Sequence, residues 1–460
     1  MPAKTEVLGI ATEFNASMTG DKRRTKRVQA IATAIAAKPG ESLPKALGTV
    51  AAREGAYKLF ENDAVDFAGL IDGHFTETSR RAEQVERVLV AHDTTTFKFS
   101  TPRAGLGPTL GENSKGGFYL HASLVITPDA PRDPLGLVAA QPWTRTEQVK
   151  AMRGSEMERW SRGVKAAESN LPSGTHAVHL MDREGDSYEL FSKLAGHDFI
   201  IRACHDRVCS EGAMFDLARS AVLVATRQVT LSARKEPKTP KAKKIYPARR
   251  QRTAQLEVRA TPVTIRRSSY LHGRTDLPDE LELNLVHVVE KACPDGFKPV
   301  EWFLFSTLPI DTPEAVLTIV DGYRGRWMIE EFFKALKTGC KYQSLQLESY
   351  EALLRALAIY ISVAWLLLRI RYLAGECSAE TPALTVFNEI QLEILRIKTP
   401  KSLPANPTLR QALLALAALG GHIRRNGEPG WLVLGRGLHD LILMEQGFNM
   451  SLLLKKSDQS

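Results

Sequence analysis

The chain has 460 residues, of which 43% are hydrophobic and 25% charged, and 61 Lys and Arg against 52 Asp and Glu leave a formal net charge of +9. This balance excludes a disordered, collagenous or coiled-coil chain, and the length suits two to four domains of about 100–200 residues, or one core with insertions. The basic excess points to an anionic partner, nucleic acid before membrane.

The first 72 residues read as helical. Ala30–Ala37 is rich in Ala and Ile and is stopped by Pro39-Gly40, and a second helical pattern surrounds Ala51–Phe60. Ahead of both runs Gly20-Asp21-Lys22-Arg23-Arg24-Thr25-Lys26-Arg27. Spacing alone reads it equally as a solvated helix face or as a helix laid against DNA phosphates. Valine-rich Val85–Ala91 and apolar Phe118–Thr127 predict strands, and Ser155–Ser169 predicts a helix. His176–Met181 then reads as a strand, Tyr188–Leu194 as a helix and Phe199–Ala203 as a short buried strand. That succession is an α/β signature.

Residues 204–300 change character. Leu256, Val258 and Ala260 alternate with polar residues, and Leu281–Glu290 repeats the theme, which predicts an antiparallel β insertion. From Arg234 to Arg252 there are nine Lys or Arg and one Glu, a net of 9 − 1 = +8, nearly the whole excess of the chain. Three prolines in this stretch predict an extended loop, either solvated or tracking DNA. After Pro313 the chain turns helical again, over Glu314–Thr338, Glu351–Leu373 and the region around Leu409–Leu419. Ala356–Leu368 carries no charge over 13 residues. A spanning helix needs about 20, so a buried core helix and no membrane are expected. The start, MPAKTEVLGI, has no apolar signal-peptide core. The five cysteines, Cys204, Cys209, Cys293, Cys340 and Cys377, are odd in number and unpatterned. They suit a reducing cytoplasm, with Cys204 and Cys209 as packing residues rather than zinc ligands.

Three acidic residues stand out. Asp93 and Asp182 each end an apolar strand, and carboxylates at strand ends converge in space despite wide separation in sequence. Each alone reads equally well as a cap or turn residue. Glu330 lies in the helical run, where Tyr323, Arg326, Glu330, Lys334 and Lys337 fall within roughly 80° of arc on one continuous helix. A solvated salt-bridge face has the same pattern, but this mixture of acid and base also suits a site holding a cation and a polyanion together. Three carboxylates are enough for a pair of Mg²⁺ ions, which keep several waters. No G-x-x-x-x-G-K-[ST] phosphate-binding loop is present in the sequence.

These residues carry a resemblance. Tyr323-Arg-Gly-Arg326-Trp-Met-Ile-Glu330-Glu331-Phe-Phe-Lys-Ala-Leu-Lys337 resembles the Y-x2-R-x3-E-x6-K signature of bacterial cut-and-paste DDE transposases of the insertion-sequence-four family, with most likeness to the transposon-five transposase. Asp93-Thr94-Thr95, Asp182-Arg183-Glu184, Phe199-Ile-Ile-Arg202, Glu301-Trp302 and Gly20–Thr25 with Glu54–Tyr57 resemble further blocks in the same order. The segment Asn426–Trp431 and the tail after it match loosely.

The resemblance implies an α/β, RNase H-like catalytic core with an antiparallel β insertion. An N-terminal helical DNA-binding domain and a C-terminal helical domain would flank it. The expected divisions are 1–72 for DNA-end binding, 73–372 for catalysis with the insertion at about 204–300, and 373–460 for dimerisation. Asp93, Asp182 and Glu330 would bind Mg²⁺, with Mn²⁺ as a substitute. Tyr323, Arg326, Lys334, Lys337 and Arg202 would contact DNA near the scissile phosphate. Trp302 would stack on a flipped base, or equally would pack in the core. Arg23, Arg24, Arg27 and Lys58 would bind end DNA. Implied partners are transposon-end DNA, target DNA and a second copy of the chain in a synaptic homodimer, in the cytoplasm at the nucleoid. The implied reaction is cleavage at transposon ends through a DNA hairpin, then strand transfer. The alternative is a DNA-binding transposition inhibitor or domesticated regulator on the same scaffold.

Overall fold

The structure is a computed structural model, and it describes residues 9–109, 116–129, 132–145, 153–209, 212–231, 248, 250–294, 297, 299–376, 381–399, 403–423 and 428–457. The chain divides into two compact units, 1–176 with 327–460, and 177–326.

The first unit opens with helices α1 (Lys22–Ala37), α2 (Leu43–Leu47), α3 (Val50–Phe60) and α4 (Phe67–Ala82). Asp21, Thr49 and Asp66 cap α1, α3 and α4 by accepting from the backbone N–H of Arg23, Ala52 and Gly69. Each such cap is worth about 1 kcal/mol. The expected division at residue 72 falls inside α4, and that at 372 falls inside a later helix. Strands β1 (Arg87–Phe99), β2 (Gly116–Ile126) and β3 (Pro134–Trp143) are antiparallel in the order β3-β2-β1. Strand β3 escapes the sequence reading because Pro134 and Pro142 punctuate it, and prolines are tolerated in outer strands. Helix α5 (Arg153–Asn170) packs on these strands.

The centre of this unit is α10 (Tyr350–Glu376), which is buried on nearly every side from Ala352 to Leu368. A helix that is apolar all round belongs inside a protein or a membrane. Its segment Tyr350–Leu373 is long and apolar enough to cross a bilayer, yet 94% of the most apolar window is buried within the protein. Polar anchors fix its neighbours. Arg355 donates to the carbonyls of Phe60 and Val65, at 2.8 and 2.6 Å. Trp365 Nε1 donates to Pro134 O at 2.7 Å, and Arg369 grips Asp133 through two nitrogens. A second buried network joins the N-terminal segment to α4 and β3. Glu13 accepts from Arg81 through both oxygens and from His74 Nδ1, while His74 Nε2 accepts from the Leu137 N–H. Burial alone would raise the Glu13 carboxyl, but Arg81 and His74 outweigh it and hold it at about 2. Helices α11 (Glu389–Lys398), α12 (Leu409–Leu419) and α13 (Trp431–Ser457) complete the unit.

In the second unit β4 (His176–Met181) runs parallel to β5 (Asp198–Arg202). An antiparallel series continues from β5 through β11 (Glu301–Ser306), β10 (Glu280–Lys291) and β9 (Arg252–Arg266), which also pairs with β8 (Leu223–Leu231) and with β6 (Val208–Cys209). The short strand β7 (Gly212–Ala213) pairs with β6. The expected β insertion is thus antiparallel, with Leu256 and Val258 buried as their alternation required. It also contains a helix missed in the sequence, α7 (Met214–Ser220). Helix α6 (Tyr188–Lys193) sets Phe191 against Phe199 and Phe305. The expected basic loop Arg234–Arg252 lies outside the described residues except for 248 and 250–252, and Arg252 pairs with Glu290 at 2.8 Å.

The helical run after Pro313 is not one regular helix. Helix α8 (Pro313–Gly325) ends before Arg326, α9 (Trp327–Lys334) follows, and Ala335–Gly339 form a wider π-turn. The five residues expected on one helix face are therefore divided. Tyr323 and Arg326 belong to the second unit, and Glu330, Lys334 and Lys337 to the first.

Candidate active site and DNA-binding face

In the first unit, Asp93 sits in the middle of β1 rather than at the strand end expected for it, half-buried, and accepts from the Thr94 N–H at 2.7 Å. Its cross-strand partner is Ala122, a residue too small to crowd a carboxylate. Helix α9 packs on β1 and carries Glu330, half-buried, in its first turn. Lys337 follows in the π-turn, with Nζ 5.4 Å from the centre of the Phe97 ring. Burial lowers its ammonium to about 8; Lys98 reinforces that shift, and the nearby Asp93 carboxylate opposes it. Lys334 points elsewhere: it is exposed and lies 3.6 Å from Glu331, which also pairs with Arg371.

In the second unit, Asp182 directly follows β4 and accepts from the Glu184 N–H at 2.9 Å. Arg202 ends β5, and Tyr323 lies near the end of α8 with Arg326 just beyond it. Burial lowers the Arg202 guanidinium, with the Tyr323 hydroxyl opposing and Arg183 and Arg326 adding to the shift. Burial raises the Tyr323 phenol, Arg326 and Arg202 oppose this, and Asp182 adds to it. The Trp302 ring stands 5.8 Å from that of Tyr323 at 65°. Trp302 is half-buried, unlike the neighbouring Phe303, Leu304 and Phe305 on β11. This unit therefore gathers one carboxylate, three guanidiniums, a phenol and an indole.

Four basic residues were expected at DNA. Arg23 is exposed and pairs with Asp21 at 3.0 Å. Arg24 is half-buried and donates to Thr19 O at 3.1 Å. Arg27 is exposed and lies across Gly55 of α3, where a Cβ would stand 3.3 Å from its Nε. Lys58 is exposed on α3. Helices α1 and α3 pack together, so the glycine lets an arginine of one helix lie along the other.

Several residues had no distinct signal in the sequence. Lys98 is one, because its effect on Lys337 depends on tertiary proximity. Asp186 reads as a helix-start acid, but it is buried, accepts from the N–H groups of Cys204 and His205, and pairs with Arg207 at 2.6 Å. Cys204, expected to pack, is exposed, while Cys209 is buried.

A family model described as Transposase DNA-binding matches residues 10–65, and one described as Transposase DDE domain matches residues 155–366. The first span holds Arg23, Arg24, Arg27 and Lys58. The second holds Asp182 and Glu330, while Asp93 lies ahead of it. A DNA-binding domain followed by a DDE domain defines a nucleic-acid enzyme of the transposase class. The chain is a DDE transposase. Among solved structures it is similar to a piggyBac transposase synaptic complex with hairpin DNA, at 11% identity and a TM-score of 0.39, over 79% of this chain and 72% of that one.

Proposed function

We propose that this transposase acts by cut-and-paste: it cleaves at the ends of an insertion sequence through a DNA hairpin and transfers the freed strand into target DNA. The observation that carries the reading is the gathering of Arg202, Tyr323 and Arg326 near Asp182, in a chain whose other acidic candidates, Asp93 and Glu330, lie on a strand and the helix packed against it. The resemblance to the insertion-sequence-four family, and to the transposon-five transposase within it, supports the same assignment. An RNase H-like core is supported by the antiparallel β1–β3, the parallel β4 and β5, and a Glu-bearing helix that follows a β insertion.

Asp93, Asp182 and Glu330 are the proposed metal ligands. Their donor set is all carboxylate oxygen, without thiolate or imidazole, which fits Mg²⁺ or Mn²⁺. Bound there, such ions would stabilise charge developing on the attacking and leaving oxygens. Arg202 and Arg326 hold the scissile phosphate by paired N–H donors, and Tyr323 orients them. Lys337 adds a cation next to Asp93. Trp302 stacks on a base that the tight hairpin leaves without a partner. No nucleotide is consumed, because strand transfer exchanges one phosphodiester for another. Two ends must be held at once, so the working form is a homodimer, and its place is the cytoplasm at the nucleoid.

Purified protein is incubated with Mg²⁺ and linear DNA carrying the flanks of its own gene, beside Asp182→Ala. Hairpin ends and joined products that vanish in the variant are expected. End binding by wild type without any cleavage would instead identify a DNA-binding regulator.

A further inference from the structure

Side chains alternate along β1, so Asp93 and Phe97 leave one face and His92 and Thr94 the other. Lys337 lies over Phe97 and therefore covers the Asp93 face. Helix α5 covers the opposite face so closely that a Cβ on Gly163 would stand 3.0 Å from His121 Nε2 and 3.2 Å from His92 Nδ1. Under this helix lies a polar cluster that the reaction, as derived above, does not use. His92 Nδ1 is 2.9 Å from Ser123 Oγ. Thr94 stands opposite His121 in the β1–β2 register, with its hydroxyl 2.9 Å from His121 Nδ1. Arg159 of α5, itself buried, brings Nε to 3.0 Å from the same hydroxyl.

The direction of the first bond follows from chemistry. A guanidinium only donates, so Arg159 gives its Nε–H to the Thr94 oxygen. The Thr94 hydroxyl and His121 Nδ1 share the second bond, whose donor is set by which ring nitrogen carries the proton. Burial, with Arg159 and Arg162 nearby, pushes His121 down to about 3, so the ring is neutral at any working pH. Thr94 is thus held by its side chain from one face of β1, while its backbone N–H bonds the Asp93 carboxylate.

We propose that Thr94 and Arg159 are positioning residues for Asp93: the buried Arg159–Thr94–His121 chain fixes the strand where the Thr94 N–H orients the metal-binding carboxylate. This rests on the reading of Asp93 as a metal ligand. Hydrogen-bonded supports of metal ligands typically cost about 10–100-fold in metal affinity or activity when removed. Thr94→Val keeps shape but removes the hydroxyl, leaving two buried nitrogens without that partner.

The test uses the full chain and end DNA. Cleavage rate, the Mg²⁺ concentration for half-maximal cleavage, end binding by mobility shift and thermal unfolding are measured for Thr94→Val, Thr94→Ser, Arg159→Lys and Asp93→Ala. Thr94→Val is expected to raise the half-maximal Mg²⁺ concentration by about 10-fold or more. End binding should stay at the wild-type level, and Thr94→Ser should restore the wild-type Mg²⁺ response. Arg159→Lys keeps the charge but has no N–H at the Nε position, so it should shift the Mg²⁺ response in the same direction, and it serves as the deciding variant if Thr94→Val does not fold. An unchanged Mg²⁺ response in Thr94→Val or, failing that, in Arg159→Lys, or equal impairment by Val and Ser, overturns the proposal while an inactive Asp93→Ala leaves the metal-ligand reading intact. Cleavage by Asp93→Ala would sink that underlying reading instead.

Discussion

Replacing Glu13 by Gln keeps the side chain's size and removes its charge from the buried network with Arg81 and His74. Glu13 is 2% exposed, so solvent screening is slight. Two routes give the cost. The carboxyl falls from 4.5 to about 2 on folding, which at about 1.4 kcal/mol per pH unit comes to about 3–4 kcal/mol. Removing one partner of a buried ion pair independently costs about 3–5 kcal/mol. The sign is definite. A carboxyl depressed in the folded state contributes its full stability above about 4.5, and that contribution is lost as pH falls toward about 2. His74, whose imidazole is held low by burial against the pull of Glu13, also loses stability in acid, because the unfolded chain takes up its proton first below 6.5. Urea unfolding at pH 7 should therefore place Glu13→Gln about 3–4 kcal/mol below wild type, with the gap closing in acid as pH falls toward about 2. A variant as stable as wild type at pH 7, or a gap that does not narrow in acid, would refute this account of how the N-terminal segment is tied to α4 and β3.

Three further outcomes are expected. Gly437→Ala would drive a Cβ to 1.9 Å from the Leu416 carbonyl oxygen. It should part α12 from α13 and cost about 1–3 kcal/mol or more in thermal or urea unfolding, and an unchanged midpoint would contradict the close crossing. Lys337 loses its charge as pH rises through about 8, so end binding by wild type should weaken between pH 7 and 9 while Lys337→Arg holds level. The same pH dependence in both would remove Lys337 from the DNA contact. Arg27→Ala and Lys58→Ala should each reduce the slope of log affinity against log salt by about 1. Arg23→Ala, already paired with Asp21, should change it less, and equal slopes for all three would argue against a phosphate-facing surface on α1 and α3.

Much of this protein was legible in its residues because the signals were local. Pro39-Gly40 after an Ala- and Ile-rich helix, the apolar strand ahead of Asp182 and the alternation around Leu256 each act over a few neighbours. The named site residues came from one motif and its ordered companions. Local signals failed where neighbours were distant. Strand β3 is built from a proline-punctuated segment that becomes a strand only beside β2. The five-residue helix face rested on continuous 100° steps, and the chain instead breaks at Arg326 and widens at Ala335–Gly339.

The sequence by itself determined the acidic candidates, the order of most helical and strand segments and the chemistry that Asp93, Asp182 and Glu330 could support. Side-chain type and short-range periodicity are properties of the chain alone. Only the tertiary structure decided which groups meet: that Tyr323 and Arg326 gather with Arg202, that Lys337 is desolvated beside Asp93, and that Thr94 rests on a buried Arg159. Those outcomes depend on contacts between residues 27 to 244 positions apart, such as Thr94 with His121 and Lys337 with Asp93. Burial and charge pairing act through space, so no spacing along the chain encodes them.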